Sequence, residues 1–171
     1  MTIQLYQNSI QELTKSIDEC LKNNEKLSVL ILLYSTIDIM VWLSRDPHDA
    51  ASTKEDFVRW VEEFMLPGSG VNCTGEDLYS ARCAVILSYA PAWGTSQSNK
   101  ADGNKIVYAW NKTVKSPSKL SGTKQKSETI SLSIENLSKA LQNAIQRFNN
   151  SLTDNRTLFD LVNERSNKFF V

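Results

Sequence analysis

The sequence predicts a mainly α-helical fold, a bundle of about six helices with a small β-hairpin inserted before the last two. Three observations predict it. Apolar residues recur every three or four positions along several segments, which is the spacing of one face of a helix. Two short runs, KIVYAWN and ETISLSI, are rich in the β-branched and aromatic residues typical of strands. The 171 residues are 41% hydrophobic and 22% charged, which is ordinary for a chain with its own core.

The first two helices are predicted from apolar patterning. An amphipathic helix is expected over roughly residues 3–23. The next segment is apolar almost all round from Val29 to Leu43, which favours a buried central helix. It is shorter than the ~20 residues that span a bilayer and it contains Asp38, so we expect no membrane partner. The apolar stripe of the first helix is Ile10, Leu13, Ile17 and Leu21.

Two further helices are predicted from their starts. Ser52 followed by Glu55 resembles a capping box, in which a hydroxyl and a carboxylate satisfy the free N–H groups of a first helical turn. Thr74 with Asp77 is expected to open a fourth helix that runs to about Tyr89. Together these elements form an expected four-helix body over residues 1–95.

After the expected four-helix body, the sequence contains strand-like and polar segments before it returns to helical patterns. The two β-rich runs are interpreted as strands of one hairpin within residues 104–134, joined by a basic, flexible, polar stretch at 111–128. Ser133 is expected to cap a fifth helix, and a sixth begins at Thr153 or Asp154. These C-terminal helices occupy 134–171. The length favours a single domain over 1–171.

The formal net charge of zero hides an asymmetry. Residues 1–99 carry 7 basic and 13 acidic residues, whereas residues 100–171 carry 12 basic and 6 acidic residues. Residues 112–126 hold five lysines and no acidic residue, so this stretch is either a nucleic-acid-binding arm that contacts phosphates or a solvated loop. The five are Lys112, Lys115, Lys119, Lys124 and Lys126.

Histidine and cysteine are scarce in this sequence, which limits the kinds of metal site and catalytic site that it can form. One histidine, His48, and three scattered cysteines form neither a zinc pattern nor a disulfide framework, so we expect no metal and no cofactor. No Walker A loop, dinucleotide-binding glycine motif or nucleophile elbow occurs. Reduced thiols, and an N-terminal segment without an apolar run of signal-peptide length, predict a cytoplasmic protein.

Two isolated charges on apolar helices stand out. On the fourth helix, Arg82 shares one face with Leu78, Val85 and Tyr89, because positions four, seven and eleven apart nearly eclipse. A charge in such a stripe must be paired or solvated. Asp38 poses the same problem on the second helix, so we expect the two side chains to meet. Such a pair is either a structural ion pair or part of a functional site.

The segment Arg82-Cys-Ala-Val-Ile-Leu87-Ser-Tyr89 resembles the HEPN-family motif R-x4-H-x-Y. HEPN domains are small helical bundles, and many are metal-independent RNA endonucleases of toxin–antitoxin, abortive-infection and CRISPR-associated systems. Their sites pair Arg and His across a dimer. The resemblance implies a homodimer, with Arg82 and Tyr89 as the motif residues and Asp38 as the upstream polar residue of a catalytic site.

The sequence departs from the motif at its histidine, where Leu87 stands. Leucine can neither accept the proton of a ribose 2′-hydroxyl nor protonate a leaving oxygen. The resemblance therefore implies an HEPN-like RNA-binding or toxin/defence-associated domain whose ribonuclease activity is impaired. Its partners would be RNA or another protein. The alternatives are a helical interaction or scaffold domain without nucleic-acid chemistry, and a residual nuclease in which another group replaces the histidine as general base.

Overall fold

The computed structural model describes residues 3–46, 51–88, 105–109 and 129–169. Within these residues it contains six α-helices and two short strands, as the sequence predicts in kind and order. The third helix continues directly into a π-helical segment, Val61–Met65. The elements are α1 (Gln4–Lys22), α2 (Lys26–Ser44), α3 (Lys54–Trp60), α4 (Gly75–Ser88), β1 (Lys105–Ala109), β2 (Thr129–Ser133), α5 (Ile134–Asp154) and α6 (Arg156–Phe169).

Helix α2 lies at the centre of the bundle, in agreement with its apolar character. It contacts all five other helices, and Leu33, Tyr34 and Ile37 on it are completely buried. By length and composition, α2 is also the one helix of the described residues that could cross a membrane. Half of its apolar window is buried against the other helices, which is the arrangement of a core helix.

The start of α3 differs by one residue from the prediction. Thr53 and Asp56, not Ser52 and Glu55, form the capping box. The Thr53 backbone N–H donates to Asp56 Oδ2 at 3.0 Å, and the Asp56 backbone N–H donates to Thr53 Oγ1 at 3.2 Å. Burial alone would raise the pKa of the Asp56 carboxyl, but hydrogen bonds from Thr53 and the charge of Arg59 outweigh burial and lower it.

This box predicts an acid-sensitive contribution to stability. Because the Asp56 pKa lies lower in the folded protein than in the unfolded chain, the ionised carboxylate stabilises the fold above about pH 3.9, the ordinary Asp value. That stabilisation is lost as the pH falls through the folded-state pKa. We expect Asp56→Asn to lower the free energy of unfolding by about 1 kcal/mol at neutral pH. In urea titrations the difference from the native protein should shrink at acid pH; a constant difference would contradict this account.

The other helix starts follow the same chemistry. Thr74 and Asp77 make the predicted cap of α4, with the Thr74 hydroxyl 2.8 Å from Asp77 Oδ2. Ser133 caps α5 as predicted. The predicted start of α6 is two or three residues too early, because α5 continues through Asp154. Asn155 instead accepts a hydrogen bond from a first-turn N–H of α6 through its side chain.

The predicted hairpin is wrong in one respect: β1 and β2 pair, but they run parallel. The register joins Lys105 to Thr129 and Ala109 to Ser133. Residues 110–128 separate the strands, a connection of 19 residues. That length suits the crossover that a parallel pair needs better than a hairpin loop of two to five residues. Alternating apolar residues indicate that two segments are strands that can pair, but they do not indicate whether the strands run parallel or antiparallel.

A tyrosine pair joins this sheet to the central helix. The hydroxyls of Tyr34 on α2 and Tyr108 on β1 lie 2.6 Å apart. Burial raises the pKa of both phenols, so both stay protonated and one donates to the other. Burial, with a smaller contribution from Asp77, raises the pKa of the nearby Cys73 thiol to about 12, so this thiol is protonated at neutral pH.

The helix becomes wider after Trp60, where the π-helical segment begins. The Leu66 backbone N–H donates to the carbonyl of Val61, five residues earlier, at 3.0 Å. Trp60 directly precedes this segment and Phe64 lies within it, and their rings pack on each other with centroids 5.7 Å apart. Phe148 on α5 meets Phe64 edge to face at 5.3 Å. The segment therefore directs an aromatic cluster toward α5.

Arg165 of α6 closes the C-terminal end of α2, a role that the sequence did not reveal. Its side chain is buried, with 8% of the residue exposed. Nη1 donates to the carbonyls of Trp42, Leu43 and Arg45 at 2.8, 3.2 and 2.7 Å, and Nη2 donates to that of Asp46 at 3.4 Å. The carbonyls of Trp42 and Leu43 belong to the last turn of α2, where a helix leaves carbonyls without intrahelical donors, and those of Arg45 and Asp46 follow directly. The cation faces the negative end of the helix dipole.

Candidate functional site

Asp38 and Arg82 meet between α2 and α4, which confirms the predicted contact. Arg82 Nε donates to Asp38 Oδ1 at 3.2 Å and to Oδ2 at 3.0 Å, and Nη2 donates to Oδ2 at 2.7 Å. The carboxylate therefore engages one edge of the guanidinium in a fork. Each helix contributes one charge from an otherwise apolar segment, and each charge satisfies the other.

The pair is only half-buried. The exposed fractions of the two side chains are 22% for Arg82 and 33% for Asp38. Burial raises the pKa of the Asp38 carboxyl, and the hydrogen bonds and charge of Arg82 only partly offset that rise. Burial alone would lower the pKa of Arg82, but Asp38 outweighs it and raises the pKa. The guanidinium is thus firmly cationic and remains open to solvent on one side.

Two described neighbours on α4 also lie close to Arg82. The guanidinium carbon lies 5.9 Å from the centre of the Tyr79 ring, within cation–π range. Arg82 Nη1 lies 4.0 Å from Cys83 Sγ, a long contact with a weak acceptor. Burial, and then the charge of Cys83 and a hydrogen bond with it, raise the pKa of Tyr79. Tyr79 therefore supports the arginine as a neutral phenol.

Leu87, at the position of the motif histidine, is exposed. Its exposed fraction is 67%, the largest of the three exposed large hydrophobic residues in the described part of the chain. It lies five residues after Arg82 on the same helix. A side chain at this position faces solvent rather than the core.

The other predicted site residues, Tyr89 and the five lysines of residues 112–126, lie outside the described residues. His48 also lies outside them. Tyr79 and Cys83 were missed from sequence, although Tyr79 stands three residues before Arg82 and so shares its helix face. Within residues 3–46, 51–88, 105–109 and 129–169, no group of three or more His, Cys, Asp or Glu could hold a metal ion.

The chemistry of this site depends on the N–H groups of Arg82 that Asp38 does not bind. Asp38 occupies Nε and Nη2, which fixes the plane of the guanidinium. Among the described residues, Nη1 meets the weak acceptor Cys83 alone and keeps the capacity to donate to an incoming oxygen. A positively charged, oriented and half-exposed donor is suited to a phosphate oxygen.

Comparisons with protein-family models, with curated proteins and with solved structures found no match for this chain.

Proposed function

We propose that this protein is an HEPN-like, RNA-binding domain that has lost most or all ribonuclease activity. The single observation that carries the proposal is the fork between Asp38 and Arg82, in which Asp38 binds Nε and Nη2 but not Nη1, and the Arg82 side chain is 22% exposed. An isolated arginine would lose side-chain freedom when it binds phosphate. An arginine already held by a carboxylate has lost that freedom before the ligand arrives.

The loss of catalysis is inferred from Leu87. Cleavage of RNA by its own 2′-hydroxyl needs a group that accepts the hydroxyl proton and a group that protonates the leaving oxygen. Arg82 can stabilise the negative charge that develops on the phosphate, but Leu87 can transfer no proton. The site therefore keeps the arginine that can bind a phosphate but lacks the residue that would transfer protons.

The proposal extends to a homodimer and to the lysine-rich segment. HEPN sites join residues of two protomers, so we propose that two copies of α4 face each other across a two-fold axis. The lysines of residues 112–126 would add phosphate contacts whose strength falls steeply with salt. A cytoplasmic location and a role in toxin or defence systems belong to the same proposal.

The test is RNA binding by the full chain, measured by fluorescence anisotropy with a labelled oligoribonucleotide. Arg82→Ala is expected to weaken binding by about 10- to 100-fold, the equivalent of one charge-assisted hydrogen bond. Replacement of the five lysines by alanine should lower the dependence of affinity on salt. The matched control is Arg156→Ala, since Arg156 also pairs with an aspartate, Asp160, but on the exposed surface of α6. Equal affinity in all three variants, or no binding at low salt, would overturn the proposal.

A second candidate is a protein-interaction domain in which the Asp38–Arg82 pair is structural. Leu87 is the most exposed large hydrophobic residue of the described part of the chain, and a partner surface would remove it from water. Light scattering distinguishes the two candidates when combined with variants. If Leu87→Ser converts a dimer to a monomer while Arg82→Ala has no effect on any RNA binding, the interaction function is the better account.

A further inference from the structure

A second hydrogen-bond donor, the hydroxyl of Tyr79, lies beside Arg82 on α4. Tyr79 stands three residues before Arg82, so the two side chains share one face of the helix. The Tyr79 hydroxyl forms a hydrogen bond with the side chain of Cys83, and Arg82 Nη1 lies 4.0 Å from the sulfur of the same cysteine. The two donors are therefore directed toward one atom, Cys83 Sγ.

The sulfur of Cys83 is a poor partner for these two donors. A thiol accepts hydrogen bonds only weakly, and the contact of 4.0 Å with Arg82 Nη1 is longer than an ordinary N–H···O bond of about 2.7–3.2 Å. A negatively charged oxygen is a much stronger acceptor for both groups. Arg82 and Tyr79 are both partly exposed, so an anion can approach them from solvent.

Packing fixes the Tyr79 ring before any ligand arrives. The ring meets the buried ring of Phe57 on α3 edge to face, with centroids 5.5 Å apart and planes at 68°. Burial raises the pKa of Tyr79, so its hydroxyl keeps the proton that it would donate at neutral pH. Since Asp38 fixes the guanidinium of Arg82, both donors are oriented in advance, and binding costs less conformational freedom.

The charge balance of the site explains why a second donor matters. The carboxylate of Asp38 lies 2.7 Å from Arg82 Nη2 and offsets part of the positive charge of the guanidinium. A phosphate therefore gains less electrostatic attraction here than it would at an unpaired arginine. A neutral hydroxyl beside Arg82 adds a hydrogen bond to the phosphate and brings no further negative charge.

We propose that Tyr79 and Arg82 together hold a single phosphodiester group of an RNA strand. Arg82 Nη1 donates to one non-bridging oxygen, and the hydroxyl of Tyr79 donates to the other. Tyr79 precedes the segment that resembles the HEPN motif, so this binding role is additional to the motif residues. The inference rests on the proposed function and deepens it, because it names a second phosphate-binding residue of the same site.

The first experiment measures binding of a labelled oligoribonucleotide to the full chain by fluorescence anisotropy. Tyr79→Phe keeps the aromatic ring and its contact with Phe57 but removes the hydroxyl. We expect it to weaken binding about 10-fold, the equivalent of one hydrogen bond to a charged group. The matched control is Tyr6→Phe, which removes a hydroxyl that donates to Asn149 at 2.8 Å elsewhere in the bundle and should leave the affinity unchanged.

The second experiment tests whether the two donors hold the same phosphate. The probe is the dinucleoside monophosphate ApA, which contains one phosphodiester group, titrated into the ¹⁵N-labelled full chain and followed by NMR. Both Tyr79→Phe and Arg82→Ala are expected to weaken its binding by about 10-fold or more, because each removes a contact with the one phosphate present. Adenosine, which has no phosphate, should bind no better to the native protein than to these variants.

The outcomes distinguish this inference from the proposed function. If Arg82→Ala weakens RNA binding and Tyr79→Phe does not, the role of Tyr79 is overturned and the proposed function stands. If Tyr79→Phe weakens binding of the oligoribonucleotide but not of ApA, the two residues do not share one phosphate and the inference fails. An equal loss of affinity in Tyr6→Phe would also overturn it. A native protein that binds no RNA at low salt would overturn both.

Discussion

Replacing Arg165 with alanine is expected to lower the free energy of unfolding by about 3 kcal/mol. The guanidinium donates to four backbone carbonyls at the end of α2. Removing it leaves these acceptors without their donors at a partly buried site and removes a cation from the negative end of a helix dipole. The lost packing of the buried side-chain stem adds to the effect.

Urea unfolding of three variants measures this contribution. Arg165→Lys keeps the charge but has no fork to reach several carbonyls, so its loss should be smaller, about 1–2 kcal/mol. Arg156→Ala removes an exposed arginine from the same helix and should change stability by less than about 0.5 kcal/mol. If Arg165→Ala and Arg156→Ala destabilise equally, the carbonyl contacts do not stabilise the end of α2.

Replacing Leu87 with histidine is expected to produce metal-independent RNA cleavage. General acid–base catalysis contributes roughly 100- to 10,000-fold to such reactions, so the rate should rise above that of the native protein by about this factor. Leu87 is mostly exposed, and the substitution should cost little stability. The new imidazole, with an ordinary pKa near 6.5, can exchange a proton near neutral pH.

Cleavage of a labelled RNA in the presence of a metal chelator is the measurement. Leu87→Gln, which is polar but does not titrate, serves as the control for hydrophobicity and should remain inactive. Adding Arg82→Ala to Leu87→His should remove the activity again. If Leu87→His binds RNA and cleaves none, the segment around Arg82 is not a decayed nuclease site.

The contact between two helices was predictable from the sequence where a charged side chain had no partner on its own helix. Asp38 and Arg82 are each isolated in an apolar segment, so their meeting followed from the cost of burying an unpaired charge. The start of α3 was shifted by one residue because Ser52 and Thr53 are both hydroxyl residues, as Glu55 and Asp56 are both acidic. Local chemistry alone does not separate these two registers.

Long-range contacts with the backbone were not predictable. The acceptors of Arg165 are carbonyls about 120 positions earlier in the chain, and carbonyls are present at every residue. The direction of β2 relative to β1 depends on how the chain crosses over, which strand composition does not encode.

The central position of α2 also determines which parts of the protein can unfold locally. A helix that contacts five others cannot detach without separating most of the bundle, so its amide hydrogens should exchange with solvent only when the whole protein unfolds. Helices that lie on the outside can fray alone. Asp38 therefore sits on the most persistent segment of the fold, and it keeps Arg82 oriented while more peripheral parts fluctuate.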